Sequence, residues 1–220
     1  MIIAIDGPAG AGKSTVARIT AQKLGFLYID TGAMYRALTL KAIEEKIDVK
    51  DLAALIEMAR STVIDLVNNP EGVLKVFLDG EDVSGPIRQP RITRFVSDIA
   101  RIKGVREIML GLQRKLGVQR DSVLDGRDIG TVVFPEADRK FYIDADFKER
   151  VRRRYAELKE QGQDVTPEDI ENDLHNRDKI DSTREFAPLK KAEDALYIDT
   201  TNLTIEEVVN KVLSYIQQPC

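Results

Sequence analysis

Gly7-Pro8-Ala9-Gly10-Ala11-Gly12-Lys13-Ser14 decides the fold. It matches G-x-x-x-x-G-K-[ST], and its surroundings are those the pattern requires. The short apolar run Ile2-Ile3-Ala4-Ile5 before it reads as a strand. Residues 14–24 after it read as a helix, with Val16, Ile19, Thr20 and Leu24 near helical spacing and Gly25 as the terminating residue. The chemistry explains the composition. Glycines let successive backbone N–H groups turn inward around a phosphate oxyanion. The helix aims its positive end at the same point. Lys13 brings a cation to the β and γ phosphates, and the Ser14 hydroxyl suits the shell of a Mg²⁺ ion. Pro8, Ala9, Ala11 and Thr15 complete the cradle. The stretch predicts a site for a nucleoside triphosphate with Mg²⁺ and leaves open what receives the phosphate.

Outward from the cradle, short β-rich runs alternate with amphipathic segments. Strands are expected at Phe26–Ile29, Ser122–Leu124, Lys140–Ile143 and Ala195–Ile198. Helices are expected over Gly32–Lys46 and from Thr204, where Glu207 three residues on makes a capping box. This alternation predicts an α/β fold with a parallel sheet covered on both faces. Residues 62–88 break the rhythm. Thr62–Val67 and Val73–Leu78 are β-rich, with turn signals at Asn68-Asn69-Pro70 and Asp79-Gly80, and predict a small antiparallel insert. Residues 148–181 are charged and helical, with a helix start at Thr166-Pro167-Glu168-Asp169.

Ligands of a parallel sheet sit beyond the carboxyl ends of its strands. Two segments fall there. In Ile29-Asp30-Thr31-Gly32-Ala33-Met34-Tyr35-Arg36, Thr31 is placed to cap the helix, and Arg36 offers a fork of donors to a second phosphate. In Val123-Leu124-Asp125-Gly126-Arg127-Asp128-Ile129-Gly130, Asp125 closes an apolar strand, the setting of a carboxylate that helps hold Mg²⁺, directly or through water. The run Lys148–Arg154 and the residues Arg177, Asp181 and Arg184 fit either a solvated charged hairpin or a flap. Such a flap would bring arginines over two anions and keep water out.

The 220 residues carry 33 Lys plus Arg against 37 Asp plus Glu, one His, one Cys and no Trp. A single cysteine, Cys220, excludes an intrachain disulfide and a cysteine-based zinc site, and a reducing cytoplasm is the compartment this suits. With His175 as the only histidine, a histidine-rich metal site is excluded; His175 reads as a surface residue and Cys220 as incidental. No run approaches ~18 consecutive apolar residues, so no membrane span is expected, and the N-terminus lacks the basic region of a signal peptide. A net charge of −4 and 6% aromatic residues give little of the basic, stacking surface that nucleic acid requires.

Together, GPAGAGKST, IDTGAMYR, DGRDIGTVVFP and the R-D-x-x-D-x-x-R of Arg177–Arg184 resemble the bacterial cytidylate (CMP) kinases, over essentially the whole chain. Adenylate kinases share the cradle and a lid but differ at the acceptor segment and at the turn. The resemblance implies a five-stranded parallel P-loop core (residues 1–61, 89–147 and 185–220). It also implies a β-rich insert that forms part of the NMP-binding region (62–88) and a helical lid (148–184). The implied reaction transfers the ATP γ-phosphoryl group to CMP or dCMP with Mg²⁺, in a monomer with no nucleic-acid or membrane partner. The implied roles are ATP binding for Gly7–Thr15, and a place around the acceptor phosphate for Arg36, Arg127 and Arg184. Arg177 would stand near the transferred group and Arg154 at the ATP phosphates. Thr31, Tyr35 and Asp181 would contact the nucleoside, and Ser97, Arg106 and Asp128 the base. Cytosine presents an amine donor with N3 and O2 as acceptors, so a carboxylate and an arginine complement it, whereas uracil mispairs with both. A P-loop kinase for another small acceptor, such as shikimate or a different nucleotide, and an ATP-dependent switch or binding module are the competing readings.

Overall fold

The computed structural model describes residues 1–69 and 73–217. The chain runs β1 (Ile2–Asp6), α1 (Lys13–Leu24), β2 (Leu27–Asp30), α2 (Thr31–Glu44), α3 (Leu52–Ser61), β3 (Ile64–Asn68), β4 (Leu74–Leu78) and β5 (Glu81–Asp82). It continues through α4 (Pro90–Ala100), α5 (Lys103–Gly117), β6 (Ser122–Gly126), β7 (Arg139–Asp144), α6 (Phe147–Glu160), α7 (Pro167–Thr183), β8 (Leu196–Asp199) and α8 (Ile205–Ile216). A π-type turn, Ile129–Val133, follows β6.

Five strands form one parallel sheet in the order β2-β6-β1-β7-β8. The apolar β1 lies at its centre, buried from Ile3 onward, and β2 and β6 are buried at every position. Strands without an exposed alternate face need helices on both sides. Among the described residues one continuous core runs from this sheet through α2, α4 and α5 to the insert, reaching Ile64, Val76 and Val83. Among the described residues a second apolar cluster lies between α6 and α7 and takes in Ala9 of the glycine-rich loop after β1.

Several boundaries differ from the sequence reading. Asp30, not Thr31, caps α2, which starts one residue earlier than expected: the Asp30 carboxylate accepts the Ala33 N–H at 2.7 Å, while the Thr31 hydroxyl donates to the Asp125 carbonyl at 2.7 Å. The insert is antiparallel as expected but has a third, two-residue strand, β5. Pro70, within one of its turn signals, and Cys220 lie outside the described residues. Residues 89–121, not read as elements, hold α4 and α5. The expected capping box forms at Thr204/Glu207, and the helix start at Thr166 proves to hold a second one, Thr166/Asp169. His175 is exposed, its ring edge-on to Phe147. No helix among the described residues is long and apolar enough to cross a membrane.

Candidate active site

Every strand of the parallel sheet places an aspartate at its carboxyl end: Asp6, Asp30, Asp125, Asp144 and Asp199. Each holds the segment that follows or faces it. Asp30 caps α2 and takes Arg36 at 3.2 Å. Asp199 accepts the Thr201 N–H at 2.9 Å. Asp125 accepts from Ser14 Oγ at 2.7 Å and from the Tyr28 hydroxyl at 2.9 Å. Burial, with Asp30 nearby, pushes the Asp125 carboxyl above its ordinary range. Asp6, which the sequence reading passed over, accepts the N–H groups of Ile129 and Gly130 at 2.8 and 2.7 Å.

The cradle takes the conformation its glycines permit. Gly7, Gly10 and Gly12 all have positive φ, and a Cβ on Gly7 would lie 1.9 Å from the Ile143 carbonyl oxygen. No other residue fits there. Lys13 is buried, and its Nζ donates to the Pro8 carbonyl at 2.6 Å, bridging the loop it belongs to. Burial, reinforced by Arg127, depresses the Lys13 ammonium below the usual lysine range. A carbonyl is a weak partner for a dehydrated cation, so the loop is electrostatically ready for an anion. Ser14 and Thr15 follow at the start of α1, with Ser14 exposed beside the buried Asp125.

Across the cleft lies an alternating chain of charges. Arg106 Nη2 meets Asp128 Oδ2 at 2.6 Å, and Asp128 Oδ1 meets Arg184 Nη2 at 3.4 Å. Arg184 Nη1 meets Asp181 Oδ1 at 3.3 Å, and Asp181 Oδ2 takes Arg127 Nε at 2.7 Å. Four of the five are buried and Arg127 is partly so. Tyr35 lies under this chain, with the Arg106 guanidinium 5.4 Å from its ring centroid. Burial raises the Tyr35 hydroxyl to about 12, which keeps it neutral. Ser97 is buried on α4, one turn before Ala100, whose carbonyl accepts from Arg106 at 3.0 Å. Arg177, on α7, has Asp173 at 3.7 Å, and its Nε is buried with no partner. Burial and the adjacent Arg127 lower its pKa.

The arginines of α6 divide the labour among themselves. Arg154 pairs with Glu157 at 2.8 Å and lies close enough to Arg177 to influence it. Arg153 holds the Thr200 carbonyl at 2.6 Å, and Arg152 is an exposed partner of Glu149. Arg150, not singled out in the sequence, is buried and donates to the Ala9 carbonyl at 3.0 Å and to Asp178 at 2.6 Å. One helical turn sends these four guanidiniums in different directions, which a run of basic letters does not disclose.

A glycine cradle on the central strand, a buried carboxylate on its neighbour and a bank of arginines opposite make a cleft for two anions, and its fold and chemistry are those of a P-loop phosphotransferase. Comparison with known proteins agrees. The family model for cytidylate kinase matches residues 3–218. The chain is 51% identical over 216 residues to the cytidylate kinase of Bacillus velezensis, covering 98% of this chain and 96% of that one. It is 50% identical to that of Clostridioides difficile, covering 98% of each. The chain belongs to the cytidylate kinase family. In fold alone it is similar to an uncharacterized protein from Eubacterium ventriosum, with a TM-score of 0.52 at 13% identity, covering 100% of this chain and 99% of that one.

Proposed function

We propose that the protein transfers the γ-phosphoryl group of ATP to CMP and dCMP, giving ADP with CDP or dCDP. The observation that carries this reading is the Arg106–Asp128–Arg184 cluster. It offers a carboxylate and arginine donors in a buried pocket beside Tyr35, the complement of a cytosine edge, next to arginines suited to its phosphate. Ser97 adds a hydroxyl to the base site. Thr31 and Asp181 serve the nucleoside, Asp181 at the sugar, and Arg36, Arg127 and Arg184 the acceptor phosphate.

In this reading an oxygen of the acceptor phosphate attacks the γ-phosphorus, and the bond to the β–γ bridging oxygen breaks in line with it. A phosphomonoester with second pKa near ~6 is already deprotonated at neutral pH, so no side chain has to take a proton. Charge spreads over the transferred group, and catalysis consists of positioning and positive charge. Lys13, Arg127 and Arg177 supply that charge, joined by Arg154 of α6, whose charge is felt at Arg177. A bound triphosphate returns to Lys13 the counter-charge that burial withholds.

Ser14 and Asp125 fit Mg²⁺: a hydroxyl and a carboxylate already converge at the cradle, both oxygen donors of the hard type this ion prefers. Bound there, the ion would neutralise charge on the β and γ phosphates. Donor and acceptor sites come from one chain, which suits a monomer, and a lone cysteine suits the cytoplasm. The helices α6 and α7 act as a lid and the β3–β5 sheet as part of the acceptor-side insert. A screen of purified protein with ATP, Mg²⁺ and each nucleoside monophosphate tests the proposal. CMP and dCMP should yield diphosphates in strong preference to UMP, AMP and GMP, and the absence of CDP sinks it.

A further inference from the structure

The donor cradle and the acceptor turn sit on adjacent strands, and one buried side chain joins them. Asp6 ends β1, immediately before Gly7, and is 4% exposed. Its two carboxylate oxygens are both committed, one to the Ile129 N–H and the other to the Gly130 N–H. These are the first two residues after Arg127-Asp128. In the sheet Asp6 is in register with Gly126, so the carboxylate reaches from one strand end into the loop leaving its neighbour. The approach does not depend on the glycine: a Cβ on Gly130 would stand in ordinary contact with Asp6 Oδ2 at 3.4 Å and would press, at 3.2 Å, only on the flexible Lys140 side chain.

At the other end of the connection the cradle's first residue passes so close to β7 that a Cβ on Gly7 would overlap the Ile143 carbonyl oxygen, which leaves room for no side chain there. Asp6 ties this strand end to the turn carrying Arg127 and Asp128, and those residues head the charge chain through Asp181, Arg184 and Arg106. Both halves of the cleft also feel the Asp6 charge: burial pushes its carboxyl up to about 7, with Asp128 adding to the rise and Lys13 opposing it.

We infer that Asp6 is a positioning residue that sets the acceptor-binding turn in register with the phosphate cradle, so that the acceptor phosphate meets the γ-phosphorus in line. It touches neither nucleotide and acts through the Ile129 and Gly130 amides. The inference rests on the CMP kinase reading given above. A misplacement of about 1 Å in such a step costs on the order of a hundredfold in rate. Two backbone N–H groups converging on one carboxylate are a means of preventing it.

The test compares wild-type protein with Asp6→Asn and Asp6→Ala. Asparagine keeps the shape and one acceptor but turns its amide against the second N–H; alanine removes both acceptors. Initial rates give kcat and KM for CMP, and titration calorimetry without CMP gives the Kd for a non-hydrolysable ATP analogue. The expected result in both variants is a KM for CMP raised by roughly tenfold or more, with kcat also reduced and ATP-analogue affinity within about twofold of wild type. A purely structural role would instead shrink the active fraction, lowering kcat with KM for CMP unchanged, and that outcome overturns the inference. Should neither variant fold, amide hydrogen exchange on the wild-type protein decides: slow exchange at Ile129 and Gly130 without nucleotide supports the connection, and exchange at unprotected rates overturns it. Loss of CMP-dependent turnover in the wild type would fault the kinase reading instead, leaving the two failures distinguishable.

Discussion

Arg150 and Asp178 meet at 2.6 Å, and between them they hold both backbone polar groups of Ala9: Arg150 takes its carbonyl at 3.0 Å and Asp178 its N–H at 3.4 Å. The Ala9 methyl meanwhile joins Leu158, Ile170 and Leu174 in the apolar cluster of the α6–α7 hairpin. The tip of the phosphate cradle is thus gripped by the hairpin through polar and apolar contacts at a single residue.

Asp178→Asn should loosen this grip. A charge-assisted hydrogen bond contributes about 1.5–3 kcal/mol, so without nucleotide the 148–184 segment should be cleaved roughly tenfold faster or more. In the wild type, ATP and CMP together should slow cleavage there. Limited proteolysis with mass-spectrometric mapping reads both effects, and identical cleavage rates in variant and wild type would rule out the grip.

Lys13→Ala should lower kcat by roughly a hundredfold or more while leaving the melting temperature at or above the wild-type value. Among the described residues the buried amine has only the Pro8 carbonyl as a hydrogen-bond acceptor, so its removal relieves a desolvated charge. Steady-state kinetics beside calorimetric melting checks the pair of outcomes. Near-wild-type turnover would refute the role of the cradle lysine.

Asp128→Ala should narrow the preference for CMP over UMP, because in the proposed reading its carboxylate is the acceptor for the cytosine amine. Mispairing a buried polar group costs about 1–3 kcal/mol, so the ratio of the two kcat/KM values should fall roughly tenfold. That ratio is independent of how much protein folds, which matters because Arg106 and Arg184 lose their shared partner. An unchanged ratio would reject the base-reading assignment.

Asp181 gives a pH signature. Burial opposes its ionisation, but Arg127 and Arg184 outweigh it and hold the carboxyl below 3.8. A depressed folded pKa contributes stability that is fully present above the unfolded value of 3.8 and is lost as pH falls through the lower folded value. The melting-temperature gap between wild type and Asp181→Asn should therefore be constant from pH 7 to about 5 and shrink below about 4. A gap that widens on acidification would contradict the pairing.

Much of this was legible in the letters because local patterns carried it. The cradle needs its glycines and lysine contiguous, and the strand before it is apolar throughout. What escaped depends on distant partners or on direction. Asp6 is one aspartate among many until Ile129 and Gly130, more than 120 residues on, are seen to point at it. The position of Asp6 at the join of strand and cradle was a usable signal. Asp30 and Thr31 are both good helix caps, and only the fold shows Thr31 spent on the Asp125 carbonyl instead. The two-residue strand β5 is too short to leave any alternation, and it exists because β4 is there to pair with it.

The alternating row from Arg106 to Arg127 has a consequence for discrimination among anions. Because Asp128 and Asp181 already occupy the guanidiniums, a visitor must trade places with an internal carboxylate to engage them. A small inorganic ion brings only charge to that exchange and gains little by it. In the proposed reading, a molecule that also satisfies the displaced aspartates, through an amine and hydroxyls of its own, would complete the trade, and free phosphate would not.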